Sequence, residues 1–152
     1  MVVKAACITQ LLLGIVPYDD LSTLAIADLP GLLPGASRNY GLGHAFLRHT
    51  ARCPVLLYVL DLGGADRPLD QLAQLRHELN TYRPGLGDRP AAVVANKLDL
   101  AGAEERLAEL VAACPLEVFP ISGKTGLGLT HMLTRLKQIH SEHSEELDSD
   151  EE

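Results

Sequence analysis

Three short segments hold residue types whose spacing suits recognition of a purine nucleotide. Asn96-Lys97-Leu98-Asp99 follows an apolar run. Guanine presents two adjacent donors, N1–H and the exocyclic amine, and a single carboxylate accepts both. Asp99 therefore suits guanine and discriminates against adenine, which has no matching donors. Asn96 would brace neighbouring loops, and the Lys97 stem would lie over the base plane. Ser122-Gly123-Lys124-Thr125-Gly126 offers backbone N–H groups to the guanine carbonyl, with Lys124 over the other side of the base or ribose. In Asp28-Leu29-Pro30-Gly31, the carboxylate can hold Mg²⁺ through a water, and the N–H of Gly31, after Pro30, can approach a terminal phosphate. Each segment alone is also ordinary turn chemistry. Their order argues for a shared site, with one helix and one strand between the second pair of loops.

Other candidate motifs fail on their own chemistry. Gly123-Lys124-Thr125 looks like the end of a P-loop, but the glycine required at position 118 is Val118. Gly41-Leu42-Gly43-His44-Ala45-Phe46 begins like a dinucleotide fingerprint, ends in Phe, and has no strand directly before it. Cys7, Cys53 and Cys114 show no C-x-x-C spacing, which fits a reducing compartment and gives no sequence-evident zinc site. His44 and His49 are at the wrong offset to share a helix face. No apolar run approaches the ~20 residues of a membrane span.

The elements that must position these loops follow from apolar periodicity. Leu11 to Val16 and Thr23 to Ala27 read as two strands of a hairpin about a turn at Pro17 to Ser22. A Gly-rich loop to Gly43 leads to a helix-like stretch through Arg52. Pro54 to Leu60 is a buried strand, and Leu69 to Tyr82 a helix with Leu69, Leu72, Leu75, Leu79 and Tyr82 on one face. Ala91 to Ala95 is a strand, and Ala103 to Ala113 a helix with Leu107, Leu110 and Val111 facing inward. Glu117 to Ile121 is a strand, and Leu129 to Ile139 a helix. This alternation predicts an α/β fold, a mostly parallel sheet with helices on both faces, whose ligands bind at the carboxyl ends of the strands. The formal charge of −7 is concentrated at the end: seven acidic residues and no Lys or Arg follow Ser141, while the body carries 13 charges of each sign. The segment 141–152 is therefore expected to be a solvated, disordered tail. The neutral body carries no nucleic-acid-binding signature.

The run from Ala27 to Leu32, then Gly35-Ala36-Ser37, Gly41-Leu42-Gly43 and Phe46-Leu47-Arg48-His49, resembles the Obg family of GTPases. The stretches Phe46 to Asp61 and Pro90 to Leu100 are similar to mitochondrial members, which are linked to large ribosomal subunit assembly. The resemblance covers residues 14–140 and implies a Ras-like G domain of the P-loop-NTPase kind, from its second strand onward. It implies GTP or GDP as ligand with Mg²⁺, the large ribosomal subunit as partner, and a mitochondrial location. It also implies that the first strand, P-loop and following helix are missing, leaving residues 1–13 as an atypical segment. On that register the phosphate cradle and the switch Thr are absent, so weak binding and no hydrolysis are expected. A non-catalytic ribosome or protein interaction module, or an unstable truncated product, is the alternative.

Overall fold

The structure is a computed structural model, and it describes residues 2–4, 12–29, 53 and 55–148. The elements run β1 (Val2–Lys4), β2 (Leu12–Pro17), β3 (Thr23–Leu29), β4 (Leu56–Asp61), α1 (Pro68–Tyr82), β5 (Ala91–Asn96), α2 (Ala103–Ala113), β6 (Val118–Pro120) and α3 (Leu129–Asp148). They form one six-stranded sheet in the order β2-β3-β1-β4-β5-β6, antiparallel only between β2 and β3. The α/β fold expected from the alternating pattern is present, and the carboxyl ends of β3, β4, β5 and β6 share one edge of the sheet.

One expectation is refined and one is corrected. The resemblance implies that the family's own first strand is missing, and the apolar Val2–Lys4 fills its place in the middle of the sheet, pairing in parallel with both β3 and β4. The physical reason is that β3 and β4 would otherwise present facing rows of unpaired N–H and C=O groups, and an extended Val-Val segment satisfies both. The segment from Ser141, expected to be unstructured, is helical as far as Asp148. α3 continues to Asp148, because extending a helix already nucleated on the core costs little per residue, and Arg135 pairs with Glu142. The helix expected after Gly43 lies outside the described residues.

Successive side chains of β4 and β5 enter two cores, as the period of a strand requires. Leu56, Tyr58 and Leu60, with Val93 and Ala95, pack against Leu72, Leu75 and Leu79 of α1 and Ala103 and Leu110 of α2. On the other face Leu57, Ala92, Val94 and Phe119 pack against Met132, Leu136 and Ile139 of α3. Burying each such Leu stabilises the fold by about 1.5–3 kcal/mol. Val111, expected to face inward, is 55% exposed. The α2 stripe follows Ala103, Leu107, Leu110 and Cys114, and Val111 lies about 100° round the helix from Leu110.

Polar contacts fix the edges of this packing. Tyr58 is fully buried, its hydroxyl donates to the Gly87 carbonyl at 3.3 Å, and desolvation pushes its pKa up to about 12, so it remains a donor. At the other end of the molecule the hairpin is fastened to α3. The Tyr18 hydroxyl donates to the Leu133 carbonyl at 2.8 Å, the Lys137 ammonium lies 4.7 Å from the Tyr18 ring centroid, and Lys137 also pairs with Asp20.

Candidate functional site

Two of the three sequence segments meet at the carboxyl edge of the sheet. β5 delivers Asn96, and β6 delivers Ser122 through Ile121. The loops are laced by backbone bonds from Leu98 N–H to the Ile121 carbonyl and from Leu62 N–H to the Asn96 carbonyl, both 3.0 Å. The Asn96 side-chain oxygen accepts from the N–H groups of Lys97 at 2.8 Å and Gly123 at 2.9 Å. It thereby ties the two loops into one surface. Lys97 adopts φ 70°, a left-handed conformation that costs a non-glycine residue about 1–3 kcal/mol and persists only where its surroundings impose it.

Asp99 sits between these loops. Ser122, 0% exposed, donates its hydroxyl to Asp99 Oδ1 at 2.6 Å and accepts from the Thr125 N–H at 3.2 Å. Its backbone N–H and carbonyl are paired with Leu127 and Gly126, so the buried serine is fully satisfied. The Ser122 hydrogen bond, with smaller contributions from Lys124 and Lys97, holds the Asp99 carboxyl below its ordinary range, while burial opposes this. The arrangement presents an ionised carboxylate at a fixed angle on an exposed rim.

The backbone donors of the second loop are mostly occupied. The N–H of Gly123 goes to Asn96, that of Thr125 to the Ser122 hydroxyl and that of Gly126 to the Ser122 carbonyl. Among the described residues none accepts from the N–H of Lys124, which leaves it available to a carbonyl ligand. Asp28 occupies the penultimate position of β3, on the same sheet edge. Pro30 and Gly31 lie outside the described residues. Among the described residues no three carboxylate, His or Cys side chains come together around a metal position.

Sequence reasoning missed two features. It assigned Ser122 to the base-facing loop without its role of orienting Asp99, since a serine in a Gly-rich turn gives no hint of burial. It also passed over Asp61, at the end of the apolar strand β4, whose Oδ2 accepts from Lys97 Nζ at 2.5 Å. A carboxylate ending a fully apolar run on the ligand edge is a signal that could have found it.

Replacing Ser122 by Ala removes the leading cause that lowers the Asp99 pKa. The expected result is an upward shift of the Asp99 carboxyl titration, followed by NMR of the labelled side chain. The sign follows from linkage: a depressed folded-state pKa contributes stability that is present above the ordinary carboxylate value and is lost as pH falls through the folded value. In the variant that loss still begins at the ordinary carboxylate value, but it is smaller and is complete at a higher pH. An unchanged titration would contradict the role given to Ser122.

The model of a family described as 50S ribosome-binding GTPase matches residues 5–97. This chain belongs to that family. Among its relatives in this GTPase family, GTPase Obg of Akkermansia muciniphila is 42% identical over 133 residues, covering 86% of this chain and 38% of that protein. Mitochondrial ribosome-associated GTPase 2 of Homo sapiens is 43% identical over 132 residues, covering 87% of this chain and 32% of that protein. The chain thus spans about a third of the length of the curated relatives it matches. The similarity to Obg GTPases stands on these relatives. The solved structure of nucleolar GTP-binding protein 1 from Plasmodium falciparum superposes with a TM-score of 0.54, at 18% identity over 93% of this chain and 76% of that one, and supports the fold. Among the described residues no helix is long and apolar enough to cross a membrane.

Proposed function

We propose that this member of the GTPase family binds guanine nucleotides through the loop surface formed by Asn96, Lys97, Asp99, Ser122, Gly123 and Lys124. One observation carries the reading: the exposed Asp99 carboxylate is held by the buried Ser122 hydroxyl, where a ring with two adjacent donors can meet it. The Lys124 N–H serves the guanine carbonyl, and the Lys97 and Lys124 stems cover the faces of the ring. Asp28 reaches Mg²⁺ through a water when nucleotide phosphates bring the ion, with Gly31 near the terminal phosphate.

Affinity in this chain is weak. Its 152 residues contain no G-x-x-x-x-G-K-[ST] sequence, so the phosphates meet no backbone-amide cradle of that kind within it. Each ~1.4 kcal/mol lost with such a cradle lowers affinity tenfold. Hydrolysis, which depends on positioning and charge stabilisation at the transferred phosphoryl group, does not proceed on these residues alone. The names of the relatives support a link to the large ribosomal subunit and, through the human protein, a mitochondrial location.

Titration of the purified chain with a fluorescent GDP analogue in Mg²⁺ tests the reading. Saturable binding that excess ATP fails to displace is expected. Absence of binding by a chain with a folded circular dichroism spectrum would sink it. A second reading, a nucleotide-independent interaction module, is favoured by the continuity of the sheet through Val2–Lys4, and that outcome would select it.

A further inference from the structure

Asp61 is not part of any of the three segments that suggested a nucleotide site, yet it is among the most firmly placed side chains on the same edge. Its backbone N–H donates to Gln71 Oε1 and its carbonyl accepts from Gln71 Nε2, both at 2.9 Å, so one side chain of α1 clasps both sides of the residue. Gln71 is itself held by a further bond from Nε2 to the Asp66 carbonyl at 3.0 Å. The Asp61 carboxylate divides its two oxygens. Oδ1 accepts from the Gly63 N–H at 2.8 Å, which fixes its rotamer, and Oδ2 accepts from the Lys97 ammonium at 2.5 Å.

At the other end of this ion pair, the Lys97 backbone is equally constrained, with φ 70° and its N–H on Asn96. A lysine side chain so anchored at Cα and at Nζ has lost most of its rotamers before any ligand arrives. Both members remain partly open to solvent, with the lysine side chain 50% exposed. A pair exposed to this degree adds little to stability, so its consequence lies in order rather than in energy of folding. What it orders is the four-carbon stem.

We propose that Asp61 is a positioning residue for base recognition. It holds the Lys97 ammonium to one side, so that the methylene stem is presented as a preformed wall for the face of the purine. This inference rests on the guanine site proposed above. The entropy of immobilising one rotamer-rich side chain is then spent in folding and not on binding, which corresponds to about 3- to 10-fold in affinity.

Asp61→Asn is the informative variant. It keeps the size of the side chain and an oxygen for the Gly63 N–H, and the Gln71 clasp is to backbone, so the loop is retained while the charge is removed. Titration with the fluorescent GDP analogue, on the wild-type chain, Asp61→Asn, Lys97→Met and the double variant, forms a thermodynamic cycle. The expected result is a loss of about 3- to 10-fold for Asp61→Asn in the presence of Lys97 and no further loss in the Lys97→Met background. Equal losses in both backgrounds, or none in either, would overturn the positioning role while leaving guanine binding intact. Absence of saturable binding by the wild-type chain would overturn the proposed guanine site and this inference with it, and is distinguished from the other failure by the wild-type curve alone.

Discussion

Asp99→Asn is expected to change the preferred base from guanine to xanthine. A carboxylate offers two acceptors, which match the N1–H and exocyclic amine of guanine. An amide offers one acceptor and one donor, so its NH₂ would face the guanine amine. Xanthine carries a carbonyl in place of that amine, and its N1–H and carbonyl match the amide oxygen and nitrogen. The Ser122 hydroxyl, 2.6 Å from Oδ1, can continue to donate to the amide oxygen and hold the side chain in place. A bidentate match is worth about 1–3 kcal/mol of discrimination, so affinity for GDP should fall about 10- to 100-fold and that for XDP rise by a similar factor. Competition of the two diphosphates against one fluorescent analogue reads both changes. Parallel loss of the two affinities would mean that Asp99 does not read the base through its pair of acceptors.

The second large effect is on stability, at Gly128→Ala. Gly128 closes the loop that runs from Ser122 into α3, with φ +77°, and an added Cβ would come within 2.3 Å of the Pro120 carbonyl oxygen and 3.2 Å of Ile121 Cγ2. The first of these atoms belongs to the backbone of β6 and cannot swing aside. Left-handed strain and a hard overlap act together, so the variant should lose about 3 kcal/mol or more and melt about 10 °C lower. Gly126 supplies the control: its φ is +83°, but nothing lies within 4 Å of the added carbon, so Ala there should cost only about 1–2 kcal/mol of conformational strain. Thermal unfolding of the two variants side by side separates overlap from strain. Equal melting temperatures would show that β6 yields to the intruding methyl group.

The features that were legible in the sequence are those whose physics is local. The period of Leu72, Leu75 and Leu79 marks a helix face wherever it occurs, and the apolar run from Val55 to Leu60 marks a strand covered on both sides. The loops after β5 and β6 could be recognised because their chemistry sits in consecutive residues. The failures have a common cause in pairing between distant parts of the chain. Val2–Lys4 is too short to show a period, and its role is defined by β3 and β4, which come later. Asp61 acquires its importance from Lys97, 36 positions away. Val111 reads as inward-facing because it is apolar and adjacent to Leu110, whereas the side of α2 that meets the core runs through Ala103, Leu107 and Leu110.

The central strand also bears on how much chain this topology can accept beside it. β1 runs parallel to β3 and β3 antiparallel to β2, so the carboxyl end of β1 and the amino end of β2 lie at the same edge of the sheet that carries Asn96 and Ser122. The two ends of that connection are separated by one intervening strand, a distance of about 10 Å. The closure entropy of a flexible connection grows only with the logarithm of its length, by about 0.6 kcal/mol for each doubling. The sheet therefore prescribes where this connection starts and stops while leaving its length almost unconstrained. Insertions there would add new residues directly above the edge that carries Asn96 and Ser122 without disturbing a single strand pair.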